Sequence, residues 1–492
     1  MRSTTGLLSL GFLISLSRFL VSAAGSISIL GRSVLGEDPQ TVNRLNGESF
    51  QQDALVTFNG YQYAAFYDAN TSTNASVRYV SVARRVLSTT NLKNSTNAEE
   101  EGWEKLTLMD YNQTLDDGHD IISLGISHTD GTLHLGFDQH DDNLHYRITK
   151  HGVATNPQNV TWSAGIFGDV LDYLPGLETL DKSAYFINIT YPRFLSLPAA
   201  AKAASHSEAD LLLELRVGRS GLGDDWLYAY VPNQGWTEVG KYLEGVNNNA
   251  YINGLDFDGR GALHVSWTYR DYINDTGQDV ANHDMDYALS YDLGKTWQNN
   301  WNQTIANLSE KWPIYPSAAG ITIFSIPKYG GILNQEAQTI DSEGRLHVLN
   351  RENITGIEQW YHYWRSTTAH WTRTPFPLPS QLNPPSANNI TGTPTVIGKR
   401  GKLISRGSSL LALLPSNAAN SRALSILAST AQGHFRDWRV VWEVEEGCVA
   451  EPLFDRYRLV TAEEGGDGDG ALSLFLVNGT SVEILDLDLS GL

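Results

Sequence analysis

The chain has 492 residues, a net charge of −20, 44 glycines and a single cysteine, and a tenth of its residues are aromatic. The acidic field makes nucleic acid and anionic membranes poor partners. Cys448 alone excludes an intramolecular disulfide, so the core must be held by packing. An anionic sugar stays open as a partner, because a local arginine cluster can override the global field.

From the N-terminus, Arg2 precedes an apolar run, Leu7–Leu20, interrupted by Arg18, and Val21–Ala23 fits a small-residue cleavage site. Residues 1–23 therefore read as a secretory signal peptide and residues 24–492 as one mature domain of an extracellular protein. The run is too short and too interrupted for a membrane span. Sequons at Asn70, Asn74, Asn94, Asn112, Asn159, Asn188, Asn274, Asn302, Asn307, Asn353, Asn389 and Asn478 agree with a secreted glycoprotein.

Helical periodicity is scarce, with "PAAAKAASHSEADLLLELR" as the main candidate, and even that ends in strand-like residues. What recurs is a strand, a polar turn and a second strand, often ending near tryptophan. Seven such hairpins run from "RYVSVARR…EGWEKLTL" through "YALSYDLGKTWQ" to "LSLFLVNGTSVEIL". Between several of them lies another hairpin with an Asp-Gly-Leu-His turn, as in "HTDGTLHL", "FDGRGALHV" and "IDSEGRLHV". Two hairpins per unit, spaced by roughly 50 to 80 residues, predict an all-β, seven-bladed β-propeller of four-stranded antiparallel blades. A large β-sandwich is the competing fold. "SISILGRSV" can add the closing strand to the last blade and remove its open edge. "SYDLGKTW" matches the Asp-box turn, an architectural mark without catalytic information.

"DGHDIISLGISHTDGTLHLGFDQH" (Asp117–His140) holds four of the 13 histidines. With the turn centred between Thr129 and Asp130, His119 lies opposite His140 at the open end of a hairpin, with Cβ atoms about 5 Å apart. A two-residue Asp130-Gly131 turn would instead set His119 against Asp142. His134 recurs as His264 and His347 in equivalent turns, so those three read as structural, and His128 as a turn residue. In the next inner hairpin, with its loop centred near Ser205, Tyr191 falls opposite Arg216 or its neighbours, also at the open end. Corresponding ends of consecutive inner hairpins share one rim, so His119, His140, Tyr191 and Arg216 converge on one mouth as catalytic candidates. Arg270, Gln335, Arg351, and His362 and Arg365 of "YHYWR" are placed on the same rim as substrate-binding candidates.

Imidazoles, a phenol and guanidinium groups suit acid–base chemistry on an anionic ligand. Cleavage beside a uronic acid uses all three: an arginine neutralises the carboxylate, a base takes the proton from carbon 5, and an acid protonates the oxygen leaving carbon 4. This β-elimination requires no redox cofactor. Hydrolysis would call for two flanking carboxylic acids; Asp117, Asp120 and Asp142 sit near the rim without forming an evident pair. A sialidase-like hydrolase and a non-catalytic sugar-binding propeller are the rival readings.

The blocks "DGHDIISLGIS", "DGTLHLGFDQHDDNLHYR", "TYPRFLSLP", "LRVGRSGLGD", "NHDMDYALSYDLGKTW" and "YHYWR" resemble those of the BNR-repeat secreted propellers. That group includes seven-bladed ulvan lyases, fungal L-rhamnose-α-1,4-D-glucuronate lyases that uncap gum arabic side chains, and bacterial rhamnosidases. The resemblance implies a carbohydrate lyase in which His119, His140 and Tyr191 serve as base and acid and Arg216 as neutraliser. It implies a glucuronate-containing polysaccharide or oligosaccharide as partner, a monomer, and room for a structural calcium ion, although no D-x-[DN]-x-[DN]-G-x₅-E loop is present. The rhamnosidase branch uses a histidine in its early block; here "GESFQQDALVTFNGYQYAAFYD" has none, which favours the lyase.

Overall fold

A computed structural model of the chain describes residues 27–69, 76–87, 102–245, 247–271, 281–391, 399–418 and 420–492. The signal-peptide reading at 1–23 and the sequons at Asn70, Asn74, Asn94 and Asn274 lie outside the described residues. The other eight sequon asparagines are exposed or half-buried.

Seven antiparallel sheets follow one another in sequence order. Blade 1 holds Leu55–Phe58, Tyr61–Asp68, Arg78–Val86 and Glu104–Gln113. Blade 2 holds Ser123–Ile126, Leu133–Gly136 and Tyr146–Ile148; the bridges Tyr146↔Leu171 and Thr149↔Phe167 stand where a fourth strand would run. Blade 3 spans Ile189–Leu243, and blade 4 spans Asn248–Asn307 with an added pairing to Thr322–Phe324. Blade 5 spans Ala337–Pro375 and blade 6 spans Lys402–Val444. Blade 7 combines Leu453–Phe454, Leu472–Asn478 and Ser481–Asp488 with Ser28–Glu37, which pairs with Ser481–Asp488 as the outer strand. The expected seven-bladed propeller, closed by its N-terminal strand, is therefore the observed fold. The predicted helix is Ala199–Ser205 only; Leu211–Val217 leaves it for the sheet.

The repeated Asp-Gly-Leu-His turns share one construction. The aspartate accepts from backbone N–H groups across the turn, as Asp258 does from Arg260 and Ala262, both at 2.9 Å. Gly131, Gly261 and Gly344 supply the left-handed residue, at φ of 69°, 86° and 82°. The histidine then points back into the blade. His134 bonds the Tyr146 hydroxyl (2.6 Å), His264 that of Tyr287 (2.8 Å), and His347 lies 3.2 Å from Asp341 Oδ2. All three are buried, which is the structural role expected of them. The Asp-box closes in the same spirit: Asp292 accepts from Ser290, Thr296 N and Thr296 Oγ1, and Trp297 is fully buried.

These turns join the far ends of the first and second strands. The first strands therefore begin, and the second strands end, at the opposite face, the mouth. Gly47–Asp53 lies across the axis just inside it. Phe50 sits between Arg193 of blade 3 (4.7 Å to the ring) and Lys402 of blade 6 (5.0 Å), its N–H donates to Glu451, and Gln51 donates to the Ile122 carbonyl. Salt bridges Arg400–Glu451 (2.7 Å) and Lys402–Glu451 (3.2 Å) line this plug. The mouth is thus a bowl with a floor, not an open pore.

Candidate active site

The first side chains of the site are set by the sequence Asp117-Gly118-His119. Asp117 Oδ1 accepts from the backbone N–H of His119 at 3.0 Å, an Asx turn. Gly118 is required sterically: a Cβ there would meet Glu48 Oε2 at 2.6 Å and the Arg44 carbonyl at 3.1 Å. The turn aims the imidazole of His119 into the bowl, where its Nδ1 lies 2.7 Å from Asp117 Oδ1.

His140 reaches the same carboxylate from the other side, with Nδ1 2.6 Å from Asp117 Oδ2. The predicted register is correct within the ladder, Ser123↔Gly136 through Ile126↔Leu133. Beyond it the strands part. Asp138 and Asp141 adopt left-handed φ values of 50° and 53°, and His140–Asp142 pairs with the inner strand of blade 3, Thr190↔His140. The two histidines are consequently not cross-strand partners, yet their rings stack with centroids 4.0 Å apart and 23° between planes.

Tyr191 occupies a bulge in that inner strand. The register runs Thr190↔Arg216, then Arg193↔Glu214, and Tyr191 takes a φ of 60°. A left-handed tyrosine is strained, and the bulge turns its ring toward the mouth, 6.1 Å from the His119 ring. Pro192 packs against Gly136, where a Cβ would meet it at 2.8 Å. Arg216 lies 5.1 Å from the Tyr191 ring and donates from Nη2 to Asp141 Oδ1 (2.9 Å) and Thr190 Oγ1 (3.0 Å). Its Nε is buried without a partner. The four catalytic candidates therefore meet at one place.

Arg270 joins them. It stacks on Tyr251 at 4.5 Å, bonds the hydroxyl of that residue and donates to Ser220 Oγ at 2.6 Å. The Tyr251 ring lies 6.4 Å from that of Tyr191. Gln335 lies two residues ahead of the inner strand of blade 5, in a left-handed conformation, with its Oε1 buried and unpartnered. Arg351 is on the mouth face, but its guanidinium is committed to the Gly331 carbonyl (3.0 Å) and Glu358 (3.3 Å).

His362 and Arg365 are corrections. They lie on the third strand of blade 5, which runs away from the mouth: Arg351 pairs with Trp360 at the start of that strand, and Leu346, just past the Asp341 turn, pairs with Arg365 at its end. Arg365 donates to Asn300 Oδ1 at 2.8 Å and covers Tyr287. His362 is buried 3.0 Å from His347 and packed by Phe376, Phe435 and Trp438. Both serve packing between blades.

Sequence reasoning missed Asp117 as the shared acceptor, Tyr251, Ser220 and Arg400. Tyr251 had a signal: "NNNAY" stands to Arg270 as "NIT" plus Tyr191 stands to Arg216, one tyrosine–arginine stack per blade. Arg400 had none, since "GKRGKL" carries no hairpin motif.

Electrostatics divide the groups by protonation. Burial pushes the Asp117 carboxyl up, but hydrogen bonds from His119 and His140 outweigh it and hold the group well below the usual carboxylate range. Burial lowers His119, and the neighbouring His140 adds to this against the pull of Asp117. Burial and Tyr251 raise Tyr191, opposed by the guanidinium groups of Arg216, Arg400 and Arg270. At neutral pH the site thus holds a carboxylate, a neutral imidazole at His119 and a protonated phenol among three arginines. Behind it, burial and the neighbouring Asp138 push Asp120 up to about 8, and burial with Glu451 does the same to Glu48. Asp120 is buried and Asp142 exposed, so these acids do not flank a common space as a hydrolytic pair.

Asp117, His119 and His140 are also the group of potential metal ligands among the described residues, with ligand atoms within 4.8 Å of one another. Their nitrogen-rich character suits zinc better than calcium. Two atoms ligating one tetrahedral zinc at 2.0–2.1 Å would stand about 3.3 Å apart. The observed 2.6 and 2.7 Å contacts are those of charge-assisted hydrogen bonds.

No curated protein matches the chain. Among solved structures, the polysaccharide lyase Uly1 superposes with a TM-score of 0.62 at 15% identity, covering 97% of this chain and 100% of that one. An ulvan lyase of family PL25, bound to -[GlcA(1-4)Rha3S]-, superposes with a TM-score of 0.57 at 12% identity, covering 91% and 96%. These likenesses establish a common fold. The sequence profile of the BNR repeat-containing family matches residues 61–377, well over half of the chain. With seven blades, the Asp-box and this match together, the chain belongs to the BNR repeat-containing family.

Proposed function

We propose that the protein is a secreted carbohydrate lyase that cleaves a uronic-acid glycosidic bond by β-elimination, removing L-rhamnose caps from α-1,4-linked D-glucuronate. The observation that carries this reading is the pair of imidazoles with open Nε2 atoms beside a protonated phenol and Arg216. An imidazole Nε2 takes the proton from carbon 5. The C–H electron pair forms the carbon 4–carbon 5 double bond as the carbon 4–oxygen bond breaks. The departing oxygen takes the proton of Tyr191. Arg216, with Arg270 and Arg400 near it, offsets the charge that grows on the carboxylate. The imidazolium and phenolate then exchange protons with solvent. The step consumes no water and calls for no redox cofactor.

An ulvan lyase of this fold holds an oligosaccharide built from the same two kinds of sugar, glucuronate and a rhamnose derivative, which supports a uronate-containing substrate on this scaffold. Eight sequon asparagines clear of the core suit a secreted glycoprotein. The test is incubation with a rhamnose-capped glucuronate oligosaccharide, reading product mass and ultraviolet absorbance together. Free rhamnose with a conjugated unsaturated glucuronate, and no added water, is expected. A hydrated glucuronate without new absorbance overturns the proposal.

A further inference from the structure

We propose that Asp117 is a positioning residue that fixes the tautomer of both site histidines, so that His119 and His140 present lone pairs at Nε2 toward the mouth as one base unit with room for a single proton. This rests on the elimination reading above. The argument begins with donors and acceptors. A carboxylate can only accept, and Asp117 sets one oxygen on each ring, Oδ1 on His119 and Oδ2 on His140. Each Nδ1 at 2.6–2.7 Å from it must therefore carry the hydrogen. In its neutral form each ring then carries its one N–H at Nδ1 and its lone pair at Nε2. Neither Nε2 has a hydrogen-bond partner among the described residues, and neither is sealed from solvent. A turn-forming aspartate would need only Oδ1 on the His119 N–H; here Oδ2 is directed at His140, a residue 23 positions away. Ring stacking at 4.0 Å makes a second positive charge unfavourable. When one imidazole takes the carbon 5 proton, Asp117 neutralises the charge from the same contact, and the other ring stays neutral.

The test is Asp117→Asn. An amide has one carbonyl acceptor and one NH₂ donor, so it can satisfy only one Nδ1–H. The other imidazole must accept at Nδ1 and move its proton to Nε2, which removes a lone pair from the mouth. In the full-length protein labelled with ¹⁵N-histidine, His119→Gln and His140→Gln assign the two rings. The wild type should show both rings with the proton on Nδ1, and Asp117→Asn should show one of them reversed. kcat on the rhamnosyl-glucuronate substrate should fall at least about a hundredfold, as for other imidazoles left in the wrong tautomer, with KM within about threefold and an unchanged melting temperature. An Nε2–H tautomer on either ring of the wild type overturns the proposal, as does an Asp117→Asn protein that keeps both tautomers or turns over within threefold of wild type. If the wild type eliminates nothing from the uronide, the elimination reading fails, and the wild-type spectrum still decides whether Asp117 sets the tautomers.

Discussion

Replacing Arg216 by lysine keeps the charge and removes the geometry. In the structure Nη2 is held by Asp141 and Thr190, so one edge of the guanidinium is anchored and the rest remains for a ligand. The side chain is 2% exposed, and the contact it would make is desolvated. A lysine ammonium in the same channel can reach Asp141 and Thr190 or a substrate carboxylate, but cannot match the fork to both. The loss is about two charge-assisted hydrogen bonds at roughly 1.5 kcal/mol each, or about 3 kcal/mol, which is a rate factor of about 150. Stability should change little, because Asp141 is partly exposed and keeps a cation beside it. The assay is the initial rate of absorbance gain from the unsaturated uronate, with kcat/KM measured beside a thermal melt. An Arg216→Lys enzyme with kcat/KM within threefold of wild type and an unaltered melt would remove Arg216 from the mechanism.

Alanine at His119 or His140 should abolish turnover with a melting temperature near wild type, since both rings are partly solvent-exposed at the mouth; an active variant would refute the base assignment. Alanine at His264 or His347 should lower stability by roughly 1–3 kcal/mol through a lost buried hydrogen bond, leaving kcat per folded molecule intact in a denaturant-titrated rate assay. His362→Ala and Arg365→Ala belong with that second group, and neither should move KM; a tenfold KM change would restore them to the mouth. Asp120, pushed up to about 8 by burial and Asp138, holds its proton in the folded protein long after the unfolded chain has lost it. Its contribution is fully present below about pH 4 and fades as pH rises through 8. Asp120→Asn should therefore reduce the drop in melting temperature between pH 5 and pH 8.5 by several degrees, and parallel melting curves for the two proteins would contradict the assignment.

The blades were legible because hairpins with polar turns carry their own register. The pairing of Gly125 with His134 follows from counting about a turn. The structural histidines were legible for the same reason, being one step of one repeated turn. The active-site cluster was legible only in outline. His140 belongs to a segment that left-handed Asp138 and Asp141 bend onto the next blade, a bend that alternation does not encode. Tyr191 reaches the mouth through a bulge, which shifts the register by one residue and turns a side chain that a regular strand would aim elsewhere. Arg365 was misplaced because a motif rich in rim-like residues sits on a strand whose direction reverses its two ends. Arg400 enters from the inner rim of blade 6, with no local pattern to mark it; only closure of the ring brings it near His119 and Tyr191.

The pairing of Ser28 with Asp488 joins two segments far apart in the sequence in one sheet. During synthesis the earlier member of that pair emerges from the ribosome hundreds of residues before its partner. Until then the strand Ser28–Glu37 lacks the ladder that Ser481–Asp488 supplies in the closed ring. Commitment to the closed ring is thus a late and highly non-local event, of the kind that folds slowly. The interval before it closes is when the nascent chain is most exposed to strand exchange with a neighbouring copy.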